Sequence, residues 1–96
     1  MRTKQQRVKD SVKLVLGVLN QLDPYGLEPG VMAPWDEYDP EGTTMASILI
    51  RAGEISATQV DEIWIKWFDE PLSATVPRRK FENFIRDLNA LDLPAR

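Results

Sequence analysis

The chain predicts an all-α fold, and three observations carry the prediction. Apolar residues recur at helical spacing through four separate stretches. No stretch alternates with period two for long enough to make a strand; Ile63-Trp64-Ile65 has the composition for one, but its flanks keep helical spacing. Each helical stretch also ends at a breaker: Asp23-Pro24, Gly53, Asp69-Glu70-Pro71 and Asp92-Leu93-Pro94. The 96 residues suit one domain, 1–96, with a single modest core. The expected architecture is a compact four-helix domain with one long ordered Pro/Gly-containing loop between helices one and two.

The first helix is expected over 4–22. Val8, Val12, Val15, Leu19 and Leu22 are spaced by four, three, four and three, which makes one buried stripe that Leu16 and Val18 widen. Asp23-Pro24 stops it, because the residue before a proline is disfavoured in the helical region. The loop that follows holds Pro24, Pro29 and Pro34, with Gly26 and Gly30 between them. Glu28-Pro29-Gly30-Val31 sets Pro and Gly at the centre of a type II turn. So long a loop is either functional or packed down by its own apolar residues. Leu27, Val31, Met32, Trp35 and Tyr38 suffice for the latter.

The second helix is expected over 40–52, with Asp39 as N-cap and Pro40 at the first helical position. Met45, Ile48, Leu49 and Ala52 form its inner face, and Gly53 supplies a left-handed stop. The third, over 57–69, opens with the capping box Ser56-Ala57-Thr58-Gln59. Val60, Ile63, Trp64, Trp67 and Phe68 make its apolar stripe. Trp64 and Trp67 lie about 60° apart on a helix, so one of them belongs at the rim. The fourth, over 77–91, turns Phe81, Phe84, Ile85, Leu88 and Leu91 inward. Its opening triplet Arg78-Arg79-Lys80 opposes the helix dipole and reads as a solvated face, with contact to Asp69 or Glu70, or to an acidic partner, as the alternatives.

Composition removes whole classes of chemistry. With no Cys there are no disulfides, thiolate metal sites or cysteine nucleophiles; with no His there is no His triad, His base or His metal ligand. No enzyme activity and no cofactor are expected. No stretch approaches the ~20 apolar residues of a membrane span, and the basic N-terminal segment reads as a helix, not a signal peptide. With Met1 leading, the expectation is a whole, cytoplasmic product.

Charge is unevenly distributed. Residues 1–22 carry +4, 23–42 carry −6, 43–76 carry −3 and 77–96 carry +2, for a net −3. An acidic chain is a poor generic nucleic-acid binder, so neither nucleic acid nor membrane is an expected partner. The acidic middle is the candidate site: 23–42 holds six carboxylates and no Lys, Arg or His. Within it Trp35, Asp36, Glu37, Tyr38, Asp39 and Glu41 form the expected partner-binding set, because aromatic anchors carry interface energy and charge speeds encounter. Oxygen-ligated metal binding on these carboxylates is the weaker alternative, since the spacing is not that of a calcium loop. Asp23-Pro24-Tyr25-Gly26 reads as structural, with Asp23 bonding the backbone of the turn.

The stretch Leu19-Asn20-Gln21-Leu22-Asp23-Pro24-Tyr25-Gly26, followed by Asp36-Glu37-Tyr38-Asp39, resembles the YugE-like family of small bacterial helical proteins. The resemblance implies a helical fold and carries no established activity. This chain departs from the family pattern at Leu22, where an aromatic is common, and in its Pro-containing insert at 27–35. Small acidic bacterial proteins also serve as immunity partners of toxins. The expected function is therefore a protein-interaction module of immunity type, occluding a basic toxin with the acidic loop. The alternatives are a small-ligand- or metal-binding protein using 23–41, and a homo-oligomeric structural protein.

Overall fold

A computed structural model describes residues 3–95; Arg2 and Arg96, which contribute to the charge of the two ends, lie outside the described residues. Five helices follow in order: α1 Lys4–Leu22, α2 Asp39–Ala52, α3 Ala57–Phe68, α4 Leu72–Thr75 and α5 Arg78–Ala90. α1 packs on α2 and α5, α2 on α3, and α4 bridges α3 to α5. The radius of gyration, 12.8 Å, is what a compact chain of this length gives. Among the described residues no helix is long and apolar enough to cross a membrane.

The local signals work as expected at most helix ends. Thr3 accepts the Gln6 N–H at 3.1 Å to open α1. Both halves of the Ser56/Gln59 capping box are made. Gly53 ends α2 at φ 81°, with its N–H on the Leu49 carbonyl. Two further left-handed ends fall on aspartates, Asp23 at φ 44° and Asp69 at φ 62°, a conformation whose cost Asp tolerates better than most side chains. Pro24 and Pro71 lie just beyond these stops.

The start of α2 differs from expectation. Asp39 is its first residue and not its cap; Tyr38 holds the cap position and makes no side-chain capping bond. The reason is burial. The Tyr38 ring is drawn into the core at 1 % exposure, and the chain enters the helix one residue early behind it.

The short helix α4 has no counterpart among the expected elements. It is fastened from a distance: the Asp61 carboxylate on α3 accepts the Ser73 N–H at 2.9 Å and the Ser73 hydroxyl at 2.7 Å. Leu72 is fully buried beneath it. Only the tertiary fold brings Asp61 to this turn, so local sequence does not announce it.

Trp64 is the largest fully buried side chain, and Tyr38, Leu19, Met45, Leu49 and Leu88 are fully buried in the same core cluster. Trp67 is the rim member of its pair, 46 % exposed, with the Lys66 amine 5.5 Å from its ring. α2 packs closely on α1 at Gly42, where a Cβ would lie 2.7 Å from Leu16 Cδ2. Asn89 ties α5 to the α2–α3 link: its oxygen accepts the Ile55 N–H at 2.8 Å, and its amide donates to the Ile55 carbonyl at 2.9 Å.

Candidate functional site

The loop from Asp23 to Tyr38 is held by hydrogen bonds and by the rings of Tyr25 and Tyr38 packed on α3. Asp23 is the hub. Its carboxylate accepts the Leu27 N–H at 2.9 Å, the Glu28 N–H at 3.0 Å and the Tyr38 hydroxyl at 3.0 Å. The Tyr38 oxygen in turn accepts the Tyr25 N–H at 3.2 Å. Tyr25 then reaches α3, accepting from Trp64 Nε1 at 3.1 Å and donating to Glu70 at 2.8 Å. Tyr25, Tyr38 and Phe68 surround Trp64 at centroid separations of 4.7 to 6.1 Å, within the range of favourable aromatic pairing. Burial, reinforced by the Asp23 carboxylate, pushes the Tyr38 phenol up to about 12.

The expected turn at Glu28-Pro29-Gly30-Val31 is present. The Val31 N–H bonds the Glu28 carbonyl at 3.0 Å, and Gly30 has φ 86°. The Glu28 carbonyl also accepts from Met32 at 2.9 Å and Ala33 at 3.3 Å. Backbone bonds thus close the tip on itself, and its side chains are left outside. Val31 is 80 % exposed and Met32 76 %. Of the five apolar residues expected to pack the loop down, Tyr38 alone is buried.

The structure divides the expected partner-binding set. Trp35, Asp36, Glu37 and Asp39 are exposed, whereas Tyr38 and Glu41 are buried. Tyr38 is therefore corrected from contact residue to internal brace, because its hydroxyl and ring are both consumed by the fold. Glu41 is corrected too. It sits in the first turn of α2 at 4 % exposure, and its Oε2 has no hydrogen-bond partner. Burial, with Asp39 and Glu37 nearby, raises its carboxyl above the usual value. Among the described residues no three carboxylates converge to hold a metal ion.

Trp35, Asp36 and Asp39 come together in the wall of a groove of about 560 Å³. Val8, Val12 and Leu16 of α1 line it, with Lys9 and Lys13 beside them. Val8, expected in the buried stripe of α1, is 36 % exposed because it borders this groove. The Arg78 triplet does not reach Asp69 or Glu70. Arg78 pairs with Glu82 one turn on, at 2.9 Å, and both are solvent-exposed. Sequence reasoning missed Tyr25, whose partners lie 39 and 45 residues away, and nothing local signals them.

No family model, no curated protein and no solved structure matches the chain.

Proposed function

We propose that the chain is a protein-binding module whose contact surface is the exposed part of the α1–α2 loop. One observation carries the reading. A loop braced at Asp23, Tyr25 and Tyr38 holds Val31, Met32 and Trp35 in solvent, beside the exposed carboxylates of Glu28, Asp36, Glu37 and Asp39. Apolar side chains held outward on an ordered frame lose little entropy on binding, and a Trp at the centre of such a patch is a strong anchor. The surrounding negative charge suits a basic partner and speeds its approach.

In the most specific form of this reading the partner is a toxin with a basic active-site cleft. The module then acts by immunity-type occlusion, in cytoplasm, and without catalysis. The likeness to the YugE-like family belongs to the same proposal. The test is affinity capture on the tagged chain at low and high salt, with mass spectrometry of what is retained. One stoichiometric basic protein, held at low salt and released at high salt, is the expected result. Asp36→Ala/Glu37→Ala and Trp35→Ala should each weaken that capture. Retention indifferent to both substitutions would remove the loop as the contact surface.

A further inference from the structure

A groove next to the loop brings in positive charge. The groove that begins at Trp35 continues along the α1–α2 seam as a further depression of about 440 Å³, reaching Lys4 and Arg51. Val8 and Val12 line both parts. The floor is apolar: Val8, Val12 and Leu16 from α1, with Ala46 and Ile50 from α2. From Lys4 to Leu16 it runs along α1 for about 18 Å, at 1.5 Å rise per residue.

Its rim is charged, with cations in excess. Lys4, Lys9, Lys13 and Arg51 border it and are exposed. Among the described residues none of these four cations has an ion-pair partner. Lys9 and Lys13 are four residues apart on α1, so they share one side of that helix. Asp36 and Asp39, beside Trp35, line the same depression as Lys9 and Lys13, while Lys4 and Arg51 line the other. An apolar trough bordered by four cations, with two carboxylates beside Trp35, calls for a guest with an apolar stripe and more acidic than basic groups.

We infer that this groove binds an acidic amphipathic helix of about three turns supplied by a partner protein. Its apolar stripe at i, i+3, i+4 and i+7 fills the floor. Asp or Glu on one flank meets Lys9 and Lys13, and a Lys or Arg at one end meets Asp36 and Asp39. The trough's length matches about 12 helical residues. The Asp36 and Asp39 carboxylates disfavour a purely anionic occupant such as a fatty acid chain lying along the whole trough. The inference shares Trp35, Asp36 and Asp39 with the loop reading but makes a different claim. Its guest is acidic where the loop's partner is basic, and Lys9 and Lys13 lie outside the loop.

The experiment is a display selection of randomised helical peptides, about 14 residues long, against the intact chain. Fluorescence anisotropy on the recovered sequences follows. Recovered peptides should be amphipathic with an acidic flank. Lys9→Glu/Lys13→Glu should weaken their binding about tenfold while leaving the melting temperature unchanged, because both lysines are exposed and have no ion-pair partner among the described residues. Exchanging the peptide's flank Glu for Lys should restore binding to that variant. Basic or non-amphipathic winners, no winner, or an affinity indifferent to Lys9→Glu/Lys13→Glu would each overturn the inference. A dimer of the chain alone that this double variant disperses would also overturn it, by making a second copy the occupant. Loss of loop-dependent capture with peptide binding intact would sink only the loop reading.

Discussion

Replacing Asp23 tests whether the loop is held as the geometry says. Asp23→Ala removes an acceptor for two backbone N–H groups and one phenol. The two amide bonds are solvent-exposed and are worth about 0.5 kcal/mol each. The phenol–carboxylate bond is partly buried and is worth about 1.5 kcal/mol. Alanine must also hold φ 44°, where it lacks the local bonding that eases Asp into this region, at about 0.5–1 kcal/mol more. The sum is about 3 kcal/mol, from a total of about 5–14 kcal/mol for a domain of this size. At about 4–8 °C per kcal/mol the melting temperature should fall by about 12–24 °C. Asp23→Asn keeps one acceptor oxygen and tolerates the left-handed conformation, so it should lose only about 1 kcal/mol. Urea unfolding gives the energies. Hydrogen exchange at the Leu27 and Glu28 amides reports the loop itself, and exchange there should quicken in Asp23→Ala before the core opens. A melting temperature within about 2 °C of the parent, with those amides still protected, would refute the hub role of Asp23.

Three further outcomes follow from buried polar groups. Glu41→Gln should raise stability at pH 7 by about 1 kcal/mol, since it removes a charge from a buried site with an unpartnered oxygen. The carboxyl is raised in the folded state, so its favourable contribution is present below the usual carboxyl range and is lost as pH rises through the folded value. The gain from Gln should therefore shrink toward pH 4 in thermal melts, and a lower melting temperature at pH 7 would contradict this. The Tyr38 phenol moves from 10.0 to about 12 on folding, so its contribution is present below pH 10 and is lost between pH 10 and 12. Tyr38→Phe should lower stability at neutral pH by about 1–2 kcal/mol and flatten the alkaline slope; a slope as steep as the parent's would show that other groups set it. Asn89→Ala leaves the Ile55 N–H and carbonyl without their partner and should cost about 2 kcal/mol in urea unfolding.

The helices were legible because their signals are local. The stripe Val15, Leu19 of α1 and Phe81, Phe84, Leu88 of α5 repeats within a few turns, and Gly53 and the Ser56 capping box act on neighbouring residues. α4 was not legible, because Asp61 secures it across the fold. The loop was half legible. Its length, its Pro-Gly turn and the bonding role of Asp23 could be read from residue types. Which of its aromatics turns inward could not, because Tyr38 is selected by Trp64, 26 residues further along. Trp35 and Tyr38 look alike in sequence, yet only Tyr38 finds Asp23 and Trp64 together. The exposed tip was misjudged for a related reason. Backbone bonds to the Glu28 carbonyl close it, so Val31 and Met32 are not required as packing.

Ser11 has a wider consequence. Its hydroxyl donates to the Arg7 carbonyl at 2.8 Å and accepts the Ala95 N–H at 3.0 Å, and Leu93 is buried nearby in sequence. The first helix thus receives part of its seat from residues 84 positions later. The contacts of α2 with α3 and of α3 with α4 join near neighbours in the chain and can form early. The junction of α1 with the tail spans 84 positions and is rewarded only once the rest of the fold is in place, so it forms late. Ser11→Ala should therefore quicken unfolding more than it slows folding, leaving a chain that assembles at nearly the same rate but opens first at the meeting of its two ends.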